Sequence, residues 1–264
     1  MIYLDGEKIK KVKLDTKSMY VAIDFDRTIT GTSGVDSWDA TGILLGEEFK
    51  NKLNELYLIY RPIELDYSIP KNKKEAMMEK WYKDVLDLYY EYGLTKEKLE
   101  KSVRESNLVF RDNAQDFLKS MYSHNIPVII LSAGIGNVIE LFLKDNHCYY
   151  GNIFVISNFI IFNDKGEMER FKNKIIHTTN KTTKGNLPQE LEKQINTKKT
   201  ILLLGDIIDD KKMVEKENWS KTISIGLPND DTDSNLELYK NNFDIVLTDN
   251  DANFEVVRKL VFNE

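Results

Sequence analysis

The sequence predicts an α/β fold: a parallel sheet with helices on both faces, and a helical segment inserted after the first core strand. Three observations carry this. The apolar runs Val21–Ile23, Val128–Leu131 and Ile201–Leu204 lack polar alternation, as strands buried on both faces do. Helical patterns alternate with such runs through the C-terminal half, the signature of strand–helix units around a parallel sheet. Between the first two runs lie about eighty residues of helical pattern with no strand. The expected division is residues 1–32 and 111–264 as the core and 33–110 as a helical cap.

Composition narrows the function. The chain has 264 residues and a net charge of −6 at pH 7, so it lacks the basic footprint of a nucleic-acid binder; a basic pocket for one small anion remains compatible. No apolar run is long enough to span a bilayer, and the N-terminus shows no signal-peptide core. The expectation is a cytoplasmic protein with a small-molecule partner, no nucleic acid and no membrane; the oligomeric state stays open. Cys148 is the single cysteine, which excludes an internal disulfide and a cysteine-rich zinc site, and reads as a small buried hydrophobe.

In chain order, Ile2–Leu4, the Asp5-Gly6 turn and Ile9–Leu14 suggest a small hairpin. Val21–Phe25 is the first core strand. Residues 31–42, rich in Gly, Ser, Thr and Asp, read as a loop. A helix follows with Phe49, Leu53, Leu56, Tyr57 and Tyr60 on one face, ended by Arg61-Pro62. A second, Asn72–Tyr92, turns Met77, Met78, Trp81, Val85, Leu88 and Tyr89 inward and stops at Gly93. Thr95 caps a third, with Leu99 and Val103 inward. The alternation then runs as helix 113–124, strand 128–131, helix 135–145 and strand 154–157. Residues 159–171 form a hairpin around Asp164-Lys165-Gly166. Helix 188–195, strand 201–204, helix 208–216 and strands 222–225 and 245–247, each with a following helix, complete the chain.

In open α/β sheets ligands bind beyond the carboxyl ends of the strands, and three strands here end in polar residues. The first ends in Asp24 and Asp26, which share a face in an extended chain while Phe25 points into packing. Two adjacent anions at the mouth of an apolar strand are costly, and a hard divalent ion relieves them; an acidic turn is the plainer alternative. The second ends in Ser132-Ala133-Gly134-Ile135-Gly136-Asn137 before a helix, an anion site or an ordinary tight turn. The third ends in Gly205-Asp206-Ile207-Ile208-Asp209-Asp210, a further acidic group or a helix cap. A cation for a phosphate is expected from Lys172–Lys184, where most lysines are solvated. His124 and His147 sit at helix ends and read as solvated. Asp230, Asp231 and Asp233 resemble a calcium loop but lack its Gly and terminal Glu, so an acidic cap for the next helix is the better reading.

The segments DFDRT, LSAGIG, Asn180-Lys181 and LLGDIIDD resemble the four motifs of the haloacid dehalogenase (HAD) phosphohydrolase superfamily. The longer segments VIILSAGIGNVIE, VISNFIIFNDKGEMERFKNKIIHTTNK, ILLLGDIIDDKKM and FDIVLTDN are similar, in order and spacing, to the cytosolic pyrimidine 5′-nucleotidase family, as is the region around Trp81-Tyr82. The resemblance runs from Val21 to the C-terminus and implies a HAD-like Rossmannoid core. It implies hydrolysis of a nucleoside 5′-monophosphate, pyrimidine suspected, through an aspartyl-phosphate. Asp24 would be the nucleophile and Asp26 the acid and then the base. Mg²⁺ would be held by Asp24, the Asp26 carbonyl and Asp206. Ser132, the amides of Ala133 and Gly134, and Lys181 would hold the phosphoryl oxygens, with Asp210 in support. His177 matches the pattern near Lys181, as support or as a substrate contact.

The chain departs from the family at several points. Arg27 replaces a Met and is expected to face solvent by strand alternation, with reach to the substrate as the alternative. Ile207 replaces a small polar residue, with an effect on packing rather than on metal binding. The loop 31–42 is not a close match, and Lys80 stands where the family has an acid before the Trp. Glu79 does not substitute for it, because one residue turns a helical side chain by about 100°. Trp38, Lys80 and Tyr82 are the candidate base contacts, while Trp81 reads as cap core. The divergent cap leaves open another small phosphomonoester, or transfer of the phosphoryl group to a nucleoside. A non-catalytic nucleotide-binding protein would be expected to lack one of Asp24, Asp26, Ser132, Lys181 and Asp206, all of which are present.

Overall fold

A computed structural model describes residues 2–4, 14–171, 173–229, 232–248 and 252–262. Among these residues seven strands form one sheet: β1 (Ile2–Leu4), β2 (Met19–Ile23), β3 (Val128–Ile135), β4 (Ile153–Asn158), β5 (Thr200–Gly205), β6 (Thr222–Gly226) and β7 (Ile245–Leu247). Their spatial order is β1-β7-β6-β5-β2-β3-β4, and every pairing is parallel except β1 with β7. β1 thus joins the far edge of the sheet; the rest of the hairpin expected there, through residue 13, lies outside the described residues.

The unbroken apolar runs are explained by what each face meets. From β2, Met19, Val21 and Ile23 enter one core and Tyr20 and Ala22 the other; β3 and β5 divide in the same way. The first core is closed by α5 (Ala114–Ser123), α6 (Gly136–Asp145) and α9 (Phe254–Phe262) through Phe117, Val138 and Phe254. The second is closed by α7 (Gln189–Asn196) and α8 (Asp233–Lys240) through Leu191, Ile195 and Tyr239.

Between β2 and β3, four further helices precede α5: α1 (Ser37–Gly42), α2 (Glu47–Leu65), α3 (Lys71–Glu91) and α4 (Lys96–Glu105). Thr95 caps α4 by accepting from the Lys98 amide, as expected, and Leu99 and Val103 are buried. Three expectations are corrected. Residues 31–42 are not all loop: Asp36 accepts from the Asp39 amide and starts α1. Pro62 does not end α2, which continues one turn to Leu65; its ring removes a single backbone bond, and the Arg61–Glu64 ion pair spans it. The segment after β5 is two 3₁₀ turns, Ile208–Met213 and Lys216–Lys221, rather than one helix, because Asp210 folds back to accept from the Ile207 amide. The 159–171 hairpin forms as expected: the Asn163 amide donates to the Glu167 carbonyl and the Glu169 amide to the Ile161 carbonyl, around the antiparallel Phe162–Met168 bridge.

Candidate active site

Strand order places the chemistry. β2 lies between β5 and β3, with Ile23 opposite Leu204 on one side and Ile130 on the other. The three polar strand ends are therefore neighbours at one edge of the sheet. The Asp24 amide donates to the Leu204 carbonyl at 3.1 Å, which fixes the chain where β2 stops. After Asp24 the chain turns sharply over Phe25–Ile29, with Arg27 left-handed at φ 59° and its amide donating to Thr30 Oγ1 at 2.7 Å.

Asp24, Asp206 and Asp210 are buried, and oxygens from all three lie within 4.8 Å of one another. Lys181 Nζ lies among them, 2.7 Å from Asp24 and 2.6 Å from Asp210, with its side chain 2% exposed. Burial pulls its pKa down, but Asp210 and Asp24 more than offset this and hold the ammonium charged. One cation does not balance three carboxylates. Burial first, then Asp210 and Asp24, push the Asp206 carboxyl well above the usual range, and Asp210 is raised to about 6, chiefly by burial. Such a crowded set of hard oxygen donors suits a divalent cation. Gly205 is required beneath it, since a Cβ there would sit 2.2 Å from Asp210 Oδ2. Asn229 donates to Asp206 Oδ2 at 2.8 Å and fixes that carboxylate from the loop after β6.

Asp26 is held from a different direction. The Ser37 amide and hydroxyl, at the start of α1, donate to its two oxygens at 2.7 and 2.5 Å. Its pKa is raised to about 8, first by burial and then by Asp36, while the two Ser37 donors pull it down. Ser37 Oγ also accepts from the Ile135 amide at 3.2 Å, which ties α1 to the end of β3. Gly134 lets these groups meet: a Cβ there would lie 2.1 Å from Ser37 Oγ and 2.6 Å from Asp26 Oδ2. Its amide donates to Ser132 Oγ at 3.0 Å.

These residues line the floor of a cavity of about 760 Å³. Asp24, Asp26, Ser132, Ala133, Gly134, Lys181 and Asp206 all face it, and Asp210 lies fully buried below. Helices α1–α3 supply the roof, including the candidates Trp38 and Tyr82, whose rings meet edge to face at 5.2 Å. Trp81 also lines the cavity and stacks on Tyr60, so it is not cap core alone. Lys80 is brought nowhere near it. Its side chain is 64% exposed and pairs with Asp84 at 2.6 Å, because the helical turn that aims Trp81 inward aims Lys80 out. Arg27 corrects the other way: the strand has ended, alternation no longer applies, and the side chain lines the cavity 3.8 Å from Asp36. His177 is buried beside Tyr82, with Nδ1 2.9 Å from Thr179 Oγ1.

Sequence reasoning passed over Ser37, Arg61, Glu64 and Asn229. Ser37 had a readable signal, Asp36 three residues before Asp39, which starts a helix at the loop next to the first motif. The other three had none, since an Arg-Pro-x-Glu end and a lone Asn look like surface. Lys172, Asp230, Asp231 and the Asp233 side chain lie outside the described residues.

The sequence model of the family described as pyrimidine 5′-nucleotidase (UMPH-1) matches residues 27–263. The chain belongs to this family. Its members hydrolyse phosphomonoesters, and the chain is an enzyme of the 5′-nucleotidase class. Among relatives, the 7-methylguanosine phosphate-specific 5′-nucleotidase A of Xenopus laevis is 34% identical over 219 residues, 83% of this chain and 75% of its own length. The Homo sapiens 7-methylguanosine phosphate-specific 5′-nucleotidase is 32% identical, covering 83% of this chain and 73% of its own. The crystal structure of cytosolic 5′-nucleotidase IIIB bound to cytidine superposes with a TM-score of 0.82 at 27% identity, over 99% of this chain and 92% of the other. A substrate-bound phosphoserine phosphatase shares the fold at a TM-score of 0.60 and 14% identity, over 92% of this chain and 98% of the other. The HAD fold expected from the motifs is therefore the fold of this family member. Among the described residues no helix is long and apolar enough to cross a membrane.

Proposed function

We propose that the protein is a Mg²⁺-dependent cytoplasmic 5′-nucleotidase that hydrolyses nucleoside 5′-monophosphates, pyrimidine nucleotides foremost, through a phosphoryl group carried on Asp24. The observation that carries this reading is the pairing of a carboxylate–lysine floor with an aromatic-roofed cavity of about 760 Å³, room for a phosphate on the floor and a base above it. The family description and the cytidine bound to the structural neighbour favour a pyrimidine, and the relatives specific for 7-methylguanosine phosphate supply the purine arm of the test.

In this reading the core is residues 1–32 and 111–264, and residues 33–110 form the cap over it. Lys181 holds one Asp24 oxygen and orients the carboxylate for in-line attack on phosphorus. The phosphorus–O5′ bond breaks as the Asp24–phosphorus bond forms, and Asp26, whose pKa is raised to about 8, gives its proton to the leaving oxygen. Asp26 then takes a proton from the water that cleaves the aspartyl-phosphate. Ser132 Oγ, the amides of Ala133 and Gly134, and Lys181 hold the phosphoryl oxygens as their charge shifts. Mg²⁺ would be held by Asp24, Asp206 and the Asp26 carbonyl, with Asp210 beneath, and would neutralise phosphate charge.

The test is phosphate release over a panel of pyrimidine, purine and methylated nucleotides and sugar phosphates, with Mg²⁺. Turnover of nucleotides above sugar phosphates supports the reading. Activity that survives EDTA or Asp24→Asn sinks the mechanism.

A further inference from the structure

The cavity roof carries an ionic pair that the reaction does not use. Arg61 and Glu64 lie three residues apart at the end of α2, form an ion pair and both line the cavity. The Glu64 side chain is 3% exposed and that of Arg61 is 23% exposed. Burial works against the Arg61 charge, but Glu64 outweighs it, so the guanidinium is held ionised more firmly than in water. Among the described residues, Glu64 is the one ion-pair partner of Arg61, through Nη1. A guanidinium carries five N–H donors in a planar fork, so several remain for a ligand in the cavity.

If the site cleaves nucleotides, the base occupies the roof side of the cavity, among Trp81, Tyr82 and this pair. Glu64 alone would offer an anion to a base. With Arg61 beside it the local charge is already balanced, and the exposed donors are positive. A base with ring carbonyl oxygens can accept from them. A base with a positive charge finds that anion already paired and meets the guanidinium beside it. The base of 7-methylguanosine is one, because methylation at N7 of a guanine already bonded to ribose at N9 leaves its imidazole ring cationic.

We infer that Arg61 is a specificity residue that directs the enzyme to nucleotides with neutral, carbonyl-bearing bases (cytosine, uracil, guanine) and against cationic bases such as that of 7-methylguanosine. The proposal rests on the nucleotidase reading and refines its substrate class.

The experiment measures kcat/KM for CMP, UMP, GMP, 7-methyl-GMP and the neutral 7-methyl-7-deaza analogue of GMP, in the wild type, Arg61→Lys and Arg61→Met. In the wild type, 7-methyl-GMP is expected at least tenfold below GMP, with the neutral analogue close to GMP, which separates charge from the bulk of the methyl group. Arg61→Met should narrow the GMP to 7-methyl-GMP ratio at least tenfold, and Arg61→Lys should keep it. A wild-type preference for 7-methyl-GMP, or equal rates for it and its neutral analogue, overturns the proposal; so does an unchanged ratio in a folded Arg61→Met. If that variant does not fold, the wild-type comparison of the charged and neutral methyl compounds decides by itself. Release of phosphate from p-nitrophenyl phosphate but from no nucleotide overturns the nucleotidase reading instead, and the proposal falls with it.

Discussion

The floor of the cavity is built from strand ends and its roof from helices, and the two are held by different physics. On the floor, backbone pairing sets positions: once Ile23 lies between Leu204 and Ile130, the residues that follow each strand have little freedom. Buried charge then finishes the arrangement, with Lys181 clamped between Asp24 and Asp210. The roof has no such frame. Its side chains are aimed by helix rotation and by pairwise contacts, such as Trp38 against Tyr82 and Arg61 against Glu64. A floor of this kind tolerates little change, whereas a roof can be re-aimed by single substitutions.

The sharpest way to test that contrast is at Lys181. Lys181→Met should lower kcat about 100- to 1000-fold, as loss of a preorganised donor to the phosphoryl group does. It also strands two buried carboxylates, so unfolding free energy should fall by about 3–5 kcal/mol without metal. Added Mg²⁺ should restore part of the stability and little of the rate. Chemical denaturation with and without the ion, beside steady-state kinetics, measures both. A variant as stable and as active as the wild type would mean that the floor is not organised by charge.

Ser37 is the seam between the two regions, since it starts α1 and binds Asp26 through two donors. Ser37→Ala keeps the amide and removes the hydroxyl. It should lower kcat about 10- to 100-fold with KM little moved, because the acid is misaimed rather than the substrate lost. A change confined to KM would place Ser37 with the roof.

How far the sequence was legible follows the same line. The apolar runs located β2, β3 and β5, and the polar residues after them are the floor. Asp24 and Asp26 do meet at the cavity, but through the turn that follows Ile23 rather than through strand alternation, and the parallel sheet brought Asp206 and Ser132 to the same edge. Lys181 was named among many lysines only through the resemblance of Asn180-Lys181 to a family motif; nothing in its own segment marks it as the buried one. The roof was half legible. The family resemblance named Trp38 and Tyr82, which line the cavity, but also Lys80, which does not; Arg61 and Glu64 were passed over because a Pro at the end of a helix reads as a stop and hides one more inward turn. Arg27 was misplaced for a related reason: strand alternation was carried beyond the residue where the strand ends.

His177 lies against the roof at Tyr82, four residues before the floor's Lys181, and it ties the comparison to pH. Burial first, and then Lys174, lower its pKa from 6.5 to about 4. In the unfolded chain it takes up a proton as pH falls through 6.5, while the folded protein resists until about 4. The unfolded state therefore binds more protons between these values, and stability declines as pH falls across that window. The melting temperature should drop from pH 7 to pH 5 by more in the wild type than in His177→Gln. Equal drops would mean that His177 is not held neutral by its surroundings.

The smallest effect is expected at Lys80, the one cap candidate that the structure turns away. It precedes Trp81 on the side of α3 away from Tyr82, and its turn of the helix carries the side chain out of the cavity that Trp81 and Tyr82 line. Its ammonium is spent on the half-buried Asp84, one turn along α3, which also accepts from the Tyr60 hydroxyl. Lys80→Ala should leave kcat and KM within about twofold for every nucleotide, as exposed substitutions away from a site do. Lys80→Glu is the stricter variant, because it restores an acid immediately before the Trp. If α3 keeps its rotation, that acid enters solvent and the order of preference among bases does not change. A new preference for bases with exposed amino groups would require α3 to turn by about a quarter of a turn. The roof would then be the mobile half of the site, and its side chains would be set by the bound base rather than before it arrives.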